Sequence, residues 1–234
     1  MPDPAVVDVV LKGATDAIAA IAALGTAASG LVDATKISGI QFLNVSYYGS
    51  GTILDALRPF ESALKNVLGD KWEEAILSPW INGAPQDAQK NTSKSIIRLG
   101  LTAANAPKIA DAAHVDAAAL GTAIGKLEKG LDLDPSDINV LGRLDATIDT
   151  ILNAAYERAD QTYRNTAKFT AGIFAVALAL AGDYILSKAG MQHDWLLAVL
   201  VGIVSVPLAP IAKDLTTALQ TAVKSLGSVT SKAG

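Results

Sequence analysis

The sequence predicts an all-α protein: a cytosolic helical domain, a long stalk helix, and a two-span transmembrane helical hairpin at the end of that stalk. Three observations carry this expectation. Half of the 234 residues are hydrophobic but only 5% are aromatic, so the apolar content is mostly Ala, Leu, Ile and Val, which favours helices over sheets. Two apolar runs, Phe169–Leu186 and Trp195–Ile211, are each about as long as a helix needs to cross the hydrocarbon layer. No proline separates Ser136 from Gly172, which already lies in the first of those runs.

Pro4 to Thr35 reads as a first helix, with Val6, Val7, Val10, Leu11, Ile18, Ile21 and Leu24 on its apolar side. Its uncharged part, 17–32, is mostly Ala and Gly, which insert weakly, so close packing against a neighbour is expected rather than a third span. Lys36–Thr52 has strand chemistry but no pairing partner, and reads as a structured loop in which Tyr47 and Tyr48 pack. Ile53–Leu68 is helical, with a bend near Pro59. Asp70 then caps a further helix, with Glu73 completing a capping box and Trp72, Ile76, Leu77, Trp80 and Ile81 facing the core. A polar connection, 82–92, leads to a helix over Ser93–Leu101, a break at Asn105-Ala106-Pro107, and a helix over Ala110–Lys129 stopped by Gly130. The acids from Asp132 to Asp137 do not fit a calcium loop, because the sixth and twelfth positions hold Asp137 and Arg143. They read instead as a helix start, with Asp134 as cap and Pro135 in the first turn.

These elements give the expected division: a cytosolic Ala-rich domain (1–133), a stalk helix (134–168), the hairpin (169–212), and an amphipathic helix and tail (213–234). Leu141, Leu144, Ile148, Ile151 and Ala155 have the three-and-four spacing of a coiled-coil seam. A single helix over 136–186 would measure about 75 Å. Leu215, Leu219, Val223 and Leu226 form a second stripe, expected to lie against the stalk.

In the hairpin, the first arm has eight and the second ten strongly apolar residues, worth roughly −4 and −5 kcal/mol of insertion before polar penalties. Tyr184, Trp195, Lys168 and Lys213 fall where membrane-interface anchors are expected. Arg158, Arg164 and Lys168 precede the hairpin and Lys213 and Lys224 follow it, against Lys188 alone in the turn. That asymmetry predicts an integral protein of the bacterial inner-membrane kind, with both termini cytoplasmic. The segment MPDPAVVDVV lacks the positive start of a secretory signal.

A net charge of −4 without a Lys/Arg cluster argues against nucleic-acid binding. The absence of cysteine excludes disulfides and thiolate metal sites. There is no phosphate-binding loop, HExxH or nucleophile elbow, and His114 and His193 stand apart from other ligands, so neither catalysis nor a cofactor is expected. The pointed residues are intramembrane: Asp183, Ser205, Pro207 and Pro210, the prolines kinking the second arm. The expected function is a non-enzymatic membrane protein that self-assembles and organises a membrane assembly or recruits a protein partner through its cytosolic domain. Its partners are then the lipid bilayer and further copies of itself. The alternative is a homo-oligomeric channel or pore-forming effector, with Asp183 ringing its mouth.

Overall fold

A computed structural model describes residues 4–35 and 44–230, and helix is the only regular structure among them. The helices are α1 (Pro4–Thr35), α2 (Ser50–Leu57), α3 (Glu61–Leu68), α4 (Trp72–Ile81), α5 (Gln86–Leu99), α6 (Ala106–Ala113), α7 (Ala117–Glu128), α8 (Pro135–Lys188) and α9 (Trp195–Thr230). The predicted long helix is present: α8 runs unbroken for 54 residues. Among the described residues, three segments are long and apolar enough to cross a membrane by length and composition: Lys12–Thr35, part of α8, and Trp195–Ala212.

The chain forms two compact units, Met1–Val45 with Asn165–Gly234, and Ser46–Arg164. This is not the division expected at residue 133. The first helix groups with the apolar C-terminal helices because its small residues pack along α9. Residues 36–43 of the loop expected over Lys36–Thr52 lie outside the described residues. Its last part is a single 3-10 turn, Val45–Tyr47, followed by the start of α2.

In the 46–164 unit, large apolar side chains point inward. Phe60, Ile53, Leu57, Leu64, Ile97, Ile109, Leu120, Ile148 and Tyr156 are fully buried in one cluster. Each such burial contributes about 1.5–3 kcal/mol. The α8 residues of this cluster are Val140, Leu144, Ile148, Leu152, Tyr156 and Ala159, with Leu141 and Ile151 packed at its edge. The predicted seam is therefore an inner face of a globular core, and not a coiled-coil stalk. Its buried positions recur mainly every four residues, which lays one continuous face against several short helices. The chain enters the unit through Gly49, whose φ of 93° favours glycine. A Cβ there would also lie 2.3 Å from the Ala159 carbonyl oxygen.

The remaining departures are local. Pro59 produces the expected interruption, a 3-10 turn over Arg58–Phe60 between α2 and α3. Asp70 and Glu73 do not form a capping box. Gly69, at φ 70°, ends α3 directly into a 3-10 turn that includes Asp70, so Lys71 becomes the N-cap of α4 and caps with no side chain. The face chosen for α4 is inward, with Trp72 and Ile76 buried. Trp80 Nε1 donates to the Ser46 carbonyl at 2.8 Å, and its ring meets Tyr156 and Tyr163 edge-on.

Helix α5 starts at Gln86, earlier than Ser93, because its inner positions Gln89, Ser93 and Ile97 are four apart but mostly polar. The helix expected over Ala110–Lys129 is two helices. His114 adopts a left-handed conformation that ends α6, and Asp116 caps α7 by accepting from the Ala119 N–H at 2.7 Å.

Candidate functional site

The Met1–Val45/Asn165–Gly234 unit has the opposite side-chain arrangement from its neighbour. Among the described residues its buried positions are mostly small: Gly25 and Ala28 on α1, Ala171 and Ala175 on α8, and Ala198, Gly202, Ser205 and Ala212 on α9, with Val32 and Val45 the larger exceptions. Many of its large apolar side chains, among them Phe169, Ile173, Ile185, Leu196, Leu200 and Ile203, are more than half exposed. Small residues let helix backbones approach. A Cβ on Gly25 would lie 2.2 Å from the Ser205 carbonyl oxygen, and one on Gly202 would lie 2.6 Å from Val176 Cα. This is the packing that holds helices together where the surroundings are as apolar as the side chains themselves.

The four residues that the sequence places in the expected spans divide between two places. Asp183 sits near the end of α8, where its Oδ1 accepts the Asp194 N–H at 3.1 Å. Its Oδ2 is sealed from solvent and faces His193 Nδ1 closely, though outside hydrogen-bond alignment. Asp194 in turn caps α9, accepting the Leu197 N–H at 3.0 Å. Asp183 thus clasps the turn between α8 and α9, and His193 has a carboxylate neighbour that spacing in the sequence did not reveal. Lys188, the basic residue of the turn, places its Nζ 5.4 Å over the Tyr184 ring. Tyr184 and Trp195 are both exposed beside the turn.

Ser205 is fully buried beneath Gly25, and its hydroxyl donates to the Gly202 carbonyl at 2.8 Å. It belongs to the helix crossing rather than to a water path. Helix α9 continues through Pro207 and Pro210. Lacking N–H groups, they leave the Ile203 and Val206 carbonyls without their usual i+4 donor. Both prolines are exposed and line an open apolar groove of about 900 Å³, to which the exposed Lys168 also contributes. The Lys213 side chain and the stripe Leu215, Leu219, Val223 and Leu226 lie outside the described residues.

Two ion-pair clusters stabilise the 46–164 unit. On α5, Lys90, Lys94 and Arg98 face Asn153, Asp149 and Asp145 of α8, in four-residue steps running in opposite directions. Lys90 reaches Asn153 at 2.9 Å, Lys94 reaches Asp149 at 2.5 Å and Asp145 at 2.8 Å, and Arg98 pairs with Asp145. The matching i, i+4 stripes were legible in the sequence as a basic and an acidic set. Burial pushes the Asp145 carboxyl up, but the Lys94 and Arg98 hydrogen bonds more than offset it and hold it below the usual range.

The second cluster is the predicted start of α8. Asp134 Oδ1 accepts the N–H groups of Ser136 and Asp137 at 2.9 and 3.0 Å, and Asp137 Oδ2 accepts the Asp134 N–H at 3.0 Å. Lys126 bridges both carboxylates. The Ser136 hydroxyl first, then Lys126 and the Asp137 N–H, hold Asp134 well below the usual carboxylate range.

Lowered carboxyl pKa values stabilise the fold fully above the unfolded value of about 3.9, and that contribution is lost as pH falls toward the folded value. Trp72 and Trp80 lie in this unit and Trp195 does not, so a Trp195→Phe protein reports its unfolding alone. Its thermal midpoint should hold between about pH 6 and 9 and drop below about pH 4. A midpoint higher at pH 3 than at pH 6 would contradict the assignment.

No group of three or more metal-ligating side chains occurs among the described residues. Comparison with protein-family models, curated proteins and solved structures finds no match. The class defined by the coordinates is therefore a helical protein with three membrane-length apolar helices, two of which, α1 and α9, pack along one another.

Proposed function

We propose that this chain is a non-enzymatic integral membrane protein whose small-residue helix bundle lies in the bilayer and whose 46–164 unit serves as a soluble docking domain. The observation that carries the reading is the inverted burial of the first unit: small side chains inside, large apolar ones outside. Only 11–22% of each membrane-length window is buried within the protein, so most of that apolar surface needs lipid or further copies of the chain to cover it. Assembly of several copies would organise the docking domains at one membrane face.

The clasp formed by Asp183 and the burial of Ser205 favour assembly over a conduit. The Asp183 Oδ1 and the Ser205 hydroxyl are each engaged by a hydrogen bond within the protomer rather than turned toward a water path. The packing of α1 on α9 supports a third span.

Single cysteines in this cysteine-free chain test the reading. The protein should stay in the membrane pellet through carbonate extraction. An impermeant thiol reagent added outside sealed cells should label Ser187→Cys and leave Ser231→Cys untouched. Ala5→Cys should be labelled outside if α1 spans, and protected if the chain crosses twice with both termini cytoplasmic. Release into the carbonate supernatant contradicts membrane integration altogether.

A further inference from the structure

We infer that the groove beside Pro207 and Pro210 is a binding site for one anionic phospholipid, with an acyl chain in the groove and the headgroup phosphate on Lys168. The inference rests on the membrane reading above and adds a ligand to it. Lys168, Gly172 and Val176 of α8 face Ile203, Pro207 and Pro210 of α9 across an opening of about 900 Å³, within the roughly 300–1,000 Å³ typical of ligand clefts. Along α8, from Lys168 to Val176, the groove extends about 12 Å. Its walls are otherwise apolar, and Lys168 is the one charged residue in them.

The opening exists because of particular residues. Gly172 presents no side chain, and a Cβ placed on it would meet nothing within 4 Å. The proline rings form a smooth opposite wall. Lys168 makes no ion pair among the described residues, and it stands one residue before Phe169, where the uncharged part of α8 begins. A cation at the boundary end of an apolar groove complements a lipid, whose charge and hydrocarbon are joined at that same depth. A neutral lipid satisfies the groove but not the lysine, and a free phosphate satisfies the lysine but not the groove.

The test uses full-length protein in nanodiscs containing equal amounts of palmitoyl-oleoyl phosphatidylglycerol and phosphatidylcholine, with retained lipids counted by native mass spectrometry. Wild type should keep one phosphatidylglycerol, favoured about fivefold over phosphatidylcholine for one added lysine contact. Lys168→Gln should abolish that preference and still retain a lipid. Gly172→Leu should lose the retained lipid of either kind, with an unchanged melting curve, since the new side chain enters open space on a helix that favours it. Soluble glycerol phosphate should not displace the lipid.

Retention unchanged by Gly172→Leu, the absence of any headgroup preference in wild type, or displacement by glycerol phosphate overturns the assignment. A changed subunit count with unchanged lipid in Gly172→Leu overturns it in favour of a second copy of the chain as occupant. Vesicle flotation separates the two readings. Protein that floats without retaining lipid removes the lipid site alone, and protein that does not float removes the membrane reading and the site together.

Discussion

Ile148→Asp should unfold the 46–164 unit outright. Ile148 is fully buried among Leu144, Leu152 and the short helices, and an unpaired carboxylate there costs more than about 4 kcal/mol. Ile151→Asp should cost only about 1–2 kcal/mol, because Ile151 sits at the edge of the cluster, where the carboxylate reaches water. The contrast separates a globular core from a coiled-coil seam. In a seam both substitutions would dissociate oligomers and leave the protomer folded. Urea unfolding of detergent-purified protein in the Trp195→Phe background, followed by the fluorescence of Trp72 and Trp80, reads the difference, and equal effects at the two positions would contradict the core assignment.

Gly25→Leu should detach α1 from α9. The new side chain has no room above the Ser205 carbonyl, and the neighbour is backbone that cannot swing aside. Overpacking of this kind costs about 2–3 kcal/mol. The opening is visible at Val32→Cys, a buried position on the same stripe of α1, as a rise of about 30–100-fold in its thiol labelling rate in detergent. Gly30→Leu is the control. A Cβ at Gly30 meets nothing within 4 Å, so labelling at position 32 should not change. The unfolding of the 46–164 unit should be unaffected by either substitution, because Gly25 and Gly30 belong to the other unit. Equal labelling in the Gly25→Leu and Gly30→Leu proteins would mean that the crossing at Gly25 does not hold the helix.

Much of the secondary structure was legible in the sequence, because it depends on neighbours a few residues apart. The proline-free run from Ser136, the cap at Asp134 and Pro135, the stop at Gly130 and the interruption at Pro59 are all local chemistry, and each is found in place. The two apolar arms were legible for the same reason: run length and absence of charge suffice to pick out Trp195–Ala212 and the second half of α8. Hydropathy failed at α5, whose inner face carries Gln89 and Ser93, and at His114, where a non-glycine residue in the left-handed region splits what reads as one Ala-rich helix.

Partners far apart in the chain were decided by tertiary structure alone. Periodicity marks a face as apolar but does not say what covers it, so the stripe through Leu144, Ile148 and Ala155 fits a coiled coil as well as a globular core. Only packing against α2–α7 chooses the core. Likewise, the glycines of α1 announce that something approaches closely, and only the structure supplies α9 as that neighbour. Asp183 reads as a solitary charge at membrane depth until the turn brings His193 and the Asp194 N–H back onto it. Run length and absence of charge determined which segments are long and apolar enough to cross a membrane. Which residues stay outside, large ones over a small-residue interior, depended on how closely three backbones can approach, and that is a property of the assembled helices.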